Sequence, residues 1–141
     1  KTSDAPWRKC ENAEEIQDTL GKLGFENISQ LFESAAAISE AISTATFIVT
    51  DDGSISANLM LAGVTGKTIL FLTHPGIARG GHLEWWSQGY LAAMGNNVFS
   101  IHVKESIPGD RTSPWRIGAE EVVRAVELAS RKPTISDGLR L

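Results

Sequence analysis

Three short runs of β-branched and aromatic residues, separated by two helix-sized intervals, constrain this fold more than any other feature of the chain. The runs are Thr46–Thr50 (TFIVT), Thr68–Thr73 (TILFLT) and Asn97–Val103 (NVFSIHV). Each is apolar nearly throughout rather than alternating, as strands buried on both faces of a parallel sheet are. The β-α-β-α-β-α order predicts a three-layer α/β fold, flavodoxin- or Rossmann-like. Its mostly parallel sheet should have about three to five strands, right-handed crossovers and helices on both faces. The first two runs end in polar or Gly-rich loops, Asp51–Ser54 (DDGS) and His74–His82 (HPGIARGGH). Ligands of open α/β sheets bind outside the carboxyl ends of the strands, so function is expected at these two loops.

Helical patterns surround the three runs. Asn12 with Glu15 resembles a capping box that opens a helix over 13–23, with Ala13, Ile16, Leu20 and Leu23 on one face. Gly24 suits the left-handed residue that ends it. Residues 25–28 read either as a short strand or as a lead into the next helix. Further helices are expected over 31–43, 56–64, 82–94 (ending at Gly95-Asn96) and 114–130. Ile117, Val122, Val126 and Ala129 are the apolar positions of the last. The 141 residues make one α/β domain, 1–141, with a polar N-terminal segment 1–11 and a C-terminal tail 133–141.

Composition excludes several classes. A net charge of −4 with scattered basic residues argues against binding a nucleic-acid backbone. No apolar run approaches the length of a membrane span. The single cysteine, Cys10, cannot form an internal disulfide, which fits a reducing, intracellular setting, cytoplasmic or organellar after removal of a transit peptide. Cys10 stands among Arg8, Lys9 and Glu11 with no His beside it, and reads as a structural or surface thiol rather than a nucleophile. No G-x-G-x-x-G follows a strand and no Walker A lysine loop is present, so no cofactor is expected.

The candidate chemistry lies in the two loops. Asp51, Asp52 and Gly53 close the first strand; adjacent acids can hold a hard cation or a sugar hydroxyl, and the same residues serve equally as a turn and helix cap. His74, Gly76, Arg79, Gly80, Gly81 and His82 precede a helix, where backbone N–H groups and an Arg fork suit a phosphate or carboxylate. The alternative is an ordinary connection. His74 and His82 have no third ligand at a recognisable spacing, so no metal site is expected. Glu84 falls in the first helical turn, where the dipole favours any carboxylate; a catalytic role is the sharper reading. Trp85, Trp86 and Tyr90 beside it suit a core, a subunit interface or base stacking.

The run Ala45–Thr73 (ATFIVTDDGSISANLMLAGVTGKTILFLT) resembles the core of the nucleoside 2-deoxyribosyltransferase-like family. That family has a flavodoxin-like sheet, with a strand, an Asp/Gly loop and a helix reading Glu-x-Gly-x-Ala-x-Ala-x-Gly-Lys before the next strand. Gly81–Met94 (GHLEWWSQGYLAAM) is similar to its helix beside the substrate pocket, and the resemblance spans about residues 37–103. Counting back from Gly66-Lys67, the family's nucleophilic Glu falls on Asn58 and its next Gly on Met60. Thr46 stands where the family often has an Asp, and its first strand is not visible. A second register puts the nucleophile on Glu84, with three extra residues before Gly89.

The resemblance implies a domain that binds a nucleoside, nucleotide or similar small anion. Asn58, Glu84 and Asp51 are its candidate catalytic residues, and catalysis is weak or lost because an amide cannot replace the carboxylate nucleophile. Two alternatives stand beside this: a structural subunit of a homo-oligomer or larger assembly, and an active N-glycosidase using Glu84.

Overall fold

The computed structural model describes residues 9–28, 34–51, 54–75, 83–110 and 112–131, and of residues 54–56 and 83–86 the backbone alone. In chain order the elements are α1 (Ala13–Lys22), α2 (Ala35–Thr44), β1 (Phe47–Asp51), α3 (Ser54–Leu61), β2 (Thr68–Thr73), α4 (Leu83–Ala93) and β3 (Asn97–His102). They are followed by β4 (Lys104–Glu105), β5 (Trp115–Arg116) and α5 (Ala119–Ser130).

β1, β2 and β3 form one parallel sheet in chain order, and β4 pairs with β5 in a separate antiparallel sheet. The fold is thus α/β, with helices on both faces of a parallel sheet. Alternation along β2 shows why. Leu70 and Leu72 face a cluster built from Ile16 of α1, Trp115, and Val122 and Val126 of α5. Ile69 and Phe71 face a second cluster, with Ile42 of α2, Leu59 of α3 and Leu91 of α4. A central strand between two helix layers must be apolar on both sides, which is what TILFLT provides. Burying each such Leu, Ile or Phe contributes about 1.5–3 kcal/mol.

Three of the helices end where glycine permits the left-handed turn: Gly24 after α1, Gly63 after α3 and Gly95 after α4 all have positive φ. Three expectations need correction. The capping box at Asn12 does not form, because its side-chain amide donates to Glu15 Oε2 (2.9 Å) and to Ile117 O (2.8 Å) instead of capping a backbone group. α2 starts at Ala35 behind the Ser34 cap, whose hydroxyl accepts from Ala37 N; the expected start at Leu31 lies outside the described residues. The last helix starts at Ala119 rather than Pro114. Residues 115–116 pair with β4, and the helix is opened at Gly118, whose N–H donates to Glu121 Oε2.

The described strands run β1-β2-β3 without the reversal of order that creates a ligand crevice in doubly wound sheets. A site at this sheet must therefore be built from the loops and the strand edges. Among the described residues no helix is long and apolar enough to cross a membrane.

Candidate functional site

Parallel pairing sets where the two candidate loops emerge. Asp51 at the end of β1 lies in register with Leu72, two residues before His74. The loops after β1 and β2 therefore leave the sheet side by side, and α3 and α4 begin at the same edge. Asp51 is exposed there. Asn58 sits in the second turn of α3, also exposed. Glu84 lies in the first turn of α4, and only its backbone is described. Asp52, Gly53, Gly76, Arg79, Gly80, Gly81 and His82 lie outside the described residues.

His74 is deeply buried, at 2% exposure, and is held by protein groups on both ring nitrogens. Nε2 lies 3.0 Å from the Ser113 carbonyl, which can only accept, so Nε2 carries a hydrogen. Nδ1 faces Glu105 Oε1 at 3.7 Å, and Glu105 Oε2 accepts from Gly109 N at 2.9 Å. Ser113, itself buried, receives Ile107 N on its hydroxyl and donates to Pro114 O. The hydroxyls of Thr73 and Ser100 bond to each other, and Gln88 Nε2 reaches Thr73 Oγ1 at 3.4 Å. The carboxyl end of β2 thus carries a polar knot inside an otherwise apolar core. It fastens β2 to β3, α4, β4 and the loop 106–113. Nothing in the sequence singles out Glu105 or Ser113 as site residues. Their only trace in the sequence is an acid just past a strand and a Ser-Pro pair.

Along the outer side of β1 runs a second feature, a cleft of about 380 Å³. It follows Ile48–Asp51 and is walled by Ile16, Leu20 and Trp115 on one face of the sheet and by Ile42 and Leu59 on the other. Its volume and mostly apolar lining fall within the range of small-molecule and peptide sites. Cys10 also lines it. Burial pushes the Cys10 thiol above its ordinary value, a backbone hydrogen bond from Asn12 opposes this, and the charges of Asp51 and Glu11 add to the rise. The thiol form is therefore favoured, which suits a packing role rather than a nucleophile. A larger hollow, about 850 Å³, lies at the opposite, amino ends of the strands between Phe25, Thr44 and Val126. Asp51, at the carboxyl end of β1, lines the smaller cleft and not the larger hollow.

Among the described residues no group of three or more His, Cys, Asp or Glu side chains could hold a metal ion. No family model, curated protein or solved structure matches the chain, so its functional reading rests on residues and geometry alone.

Proposed function

We propose that the chain is a nucleoside 2-deoxyribosyltransferase-like domain that binds a nucleoside, nucleotide or similar small anion at the carboxyl ends of β1 and β2, with catalysis weak or lost. The observation that carries this reading is the register Asp51↔Leu72, which makes the Asp51 loop and the His74 loop neighbours at one edge. Asp51 there suits a sugar hydroxyl better than a phosphate. The anion half of the reading rests on Arg79, outside the described residues. Weak catalysis is supported by Asn58, an exposed amide at the position where the resemblance calls for a carboxylate.

The test is a thermal-shift and calorimetric titration of the folded chain with deoxynucleosides, their monophosphates and inorganic phosphate. A specific ligand binding at tens of micromolar should stabilise the protein by about 2 to 3 kcal/mol at millimolar concentration. No shift with any of them removes the proposal.

An assembly subunit is the second reading. It is favoured by Leu61 on α3 and Tyr90 on α4, large apolar side chains that are 87% and 53% exposed on packed neighbouring helices. Against it stands Trp115, which is buried under the β1 cleft rather than displayed on the surface. Sedimentation of the purified chain over a concentration series distinguishes the two.

A further inference from the structure

We propose that β3 is a pairing edge through which two copies of the chain join their sheets, with β3 antiparallel to β3 of the partner subunit about a twofold axis at Ser100. The proposal is independent of the nucleoside reading, and it uses a different surface from Leu61 and Tyr90, which favour the assembly reading.

The main chain gives the first argument. Asn97 N donates to Lys67 O at 2.8 Å and Val103 N to Thr73 O at 3.0 Å, which fixes the alternation of the parallel ladder. Asn97, Phe99, Ile101 and Val103 thus turn their backbone groups toward β2, and Val98, Ser100 and His102 turn theirs outward. β3 is the last strand of its sheet, and no described residue bonds to those outward backbone groups. Such a row in the plane of a sheet is matched by another strand.

The second argument is that β3 lacks the features that guard an edge. Strands that must stay single are protected by charge, proline or a bulge. β3 keeps an unbroken register with β2 from Asn97 to His102. Residues 85–103, which take in most of α4 and all of β3, contain no Pro, Asp, Glu, Lys or Arg. Asn97, Ser100 and His102 are exposed. The opposite edge differs, since the cleft along β1 is lined by the chain's own Phe25, Glu26, Asn27 and Ile28.

The third argument names the occupant. Each copy carries a net charge of −4, so two copies meet most readily at a surface without charge, which β3 is. A twofold at Ser100 uses all the outward residues: Ser100 faces Ser100 of the partner subunit, and Val98 faces His102 of the partner subunit. The same register sets Phe99 opposite Ile101 of the partner subunit on both sides of the axis. An aromatic opposite a β-branched residue is a favourable cross-strand pair. Phe99 and Ile101 are half-buried against one apolar cluster, so each copy covers what the other leaves open.

Analytical ultracentrifugation should find a monomer–dimer equilibrium, and a chain still monomeric at about 1 mM overturns the proposal. Ser100→Pro removes one outward N–H, and His102→Lys puts a guarding charge on the edge without altering the main chain. Each should weaken the dimer by about tenfold or more with circular dichroism unchanged, while Leu61→Glu leaves it intact. A dimer lost with Leu61→Glu but kept in both β3 variants overturns the edge and supports the assembly reading instead. Amide exchange followed by NMR decides the matter without any variant. The amides of Val98, Ser100 and His102 should be protected in the dimer and exchange faster on dilution, while those of Phe99 and Ile101 stay protected throughout. An equal response of the two sets, or no response, overturns strand pairing.

Discussion

Asn96 follows the last turn of α4 and uses the whole of its side-chain amide. Oδ1 accepts from Lys67 N at 3.1 Å, while Nδ2 donates to Val64 O at 2.9 Å and Leu91 O at 2.8 Å. One buried side chain thus joins the ends of α3 and α4 to the start of β2. Asn96→Ala removes the side-chain partner of Lys67 N and Val64 O, while Leu91 O keeps the backbone N–H of residue 96, and equilibrium urea unfolding should show a loss of about 2–4 kcal/mol with the slope unchanged. Cys10 gives a chemical prediction. Since burial raises its thiol above the ordinary value, the midpoint for its alkylation by iodoacetamide in the folded chain should lie above that in the urea-unfolded chain. A midpoint at or below the unfolded one contradicts the packing role. Asp110 shifts the other way. Its carboxylate accepts from Thr112 N and Thr112 Oγ1, both at 2.8 Å, and these bonds hold its carboxyl below the ordinary value. A lowered folded value stabilises the turn above the unfolded value, and that contribution disappears as pH falls through the folded one. Carbon-detected NMR titration should find the Asp110 midpoint low in the wild type. In Thr112→Ala it should move part of the way back, because the backbone donor remains.

At the scale of elements, β2 was legible because burial on both faces leaves a run with no polar interruption, and the structure keeps its limits at Thr68 and Thr73. α1 and α4 were legible for a related reason, an apolar face closed by Gly24 or Gly95 in the left-handed conformation. β4 and β5 were not. Two-residue strands carry no period, and Pro114 beside Trp115 imitates a helix start. What fixes them is tertiary: Trp115 is buried against Ile16 and Leu72, and its backbone exchanges hydrogen bonds with Lys9 and Glu11. Trp115→Ala should cost about 3–5 kcal/mol in unfolding experiments and detach the N-terminal stretch, seen as faster amide exchange at Glu11. The candidate site divides along the same line. Asp51 at a strand end could be found from the chain, whereas the β1 cleft could not, since Ile16, Ile42 and Trp115 meet there from distant parts of the sequence. Lys67 shows how an apparent motif residue can have a local task. Its ammonium donates to Ser43 O at 2.8 Å and to Ala45 O, closing the carboxyl end of α2 where the helix dipole favours a cation.

The whole molecule has to answer whether the site reacts or only binds. Glycosyl transfer through a covalent intermediate needs a carboxylate within reach of the anomeric carbon and a group that stabilises the leaving base. The position singled out by the resemblance holds Asn58, exposed in the second turn of α3 and chemically a poor nucleophile. His74 does not compensate, because its Nε2 hydrogen is committed to the Ser113 carbonyl and its Nδ1 faces Glu105. Glu84 is the carboxylate residue that the second register of the resemblance puts in that place, in the first turn of α4. The expected outcome is therefore no turnover by the wild-type chain in hydrolysis and base-exchange assays on deoxynucleosides and their monophosphates. Asn58→Glu should gain measurable hydrolysis if the pocket is intact and the nucleophile alone was lost. Wild-type turnover abolished by Glu84→Ala would instead make this an active N-glycosidase and overturn the inactive reading. Silence from all three proteins, combined with no thermal shift on nucleosides, would hand the fold to the assembly reading, with Leu61 and Tyr90 as the first contacts to mutate.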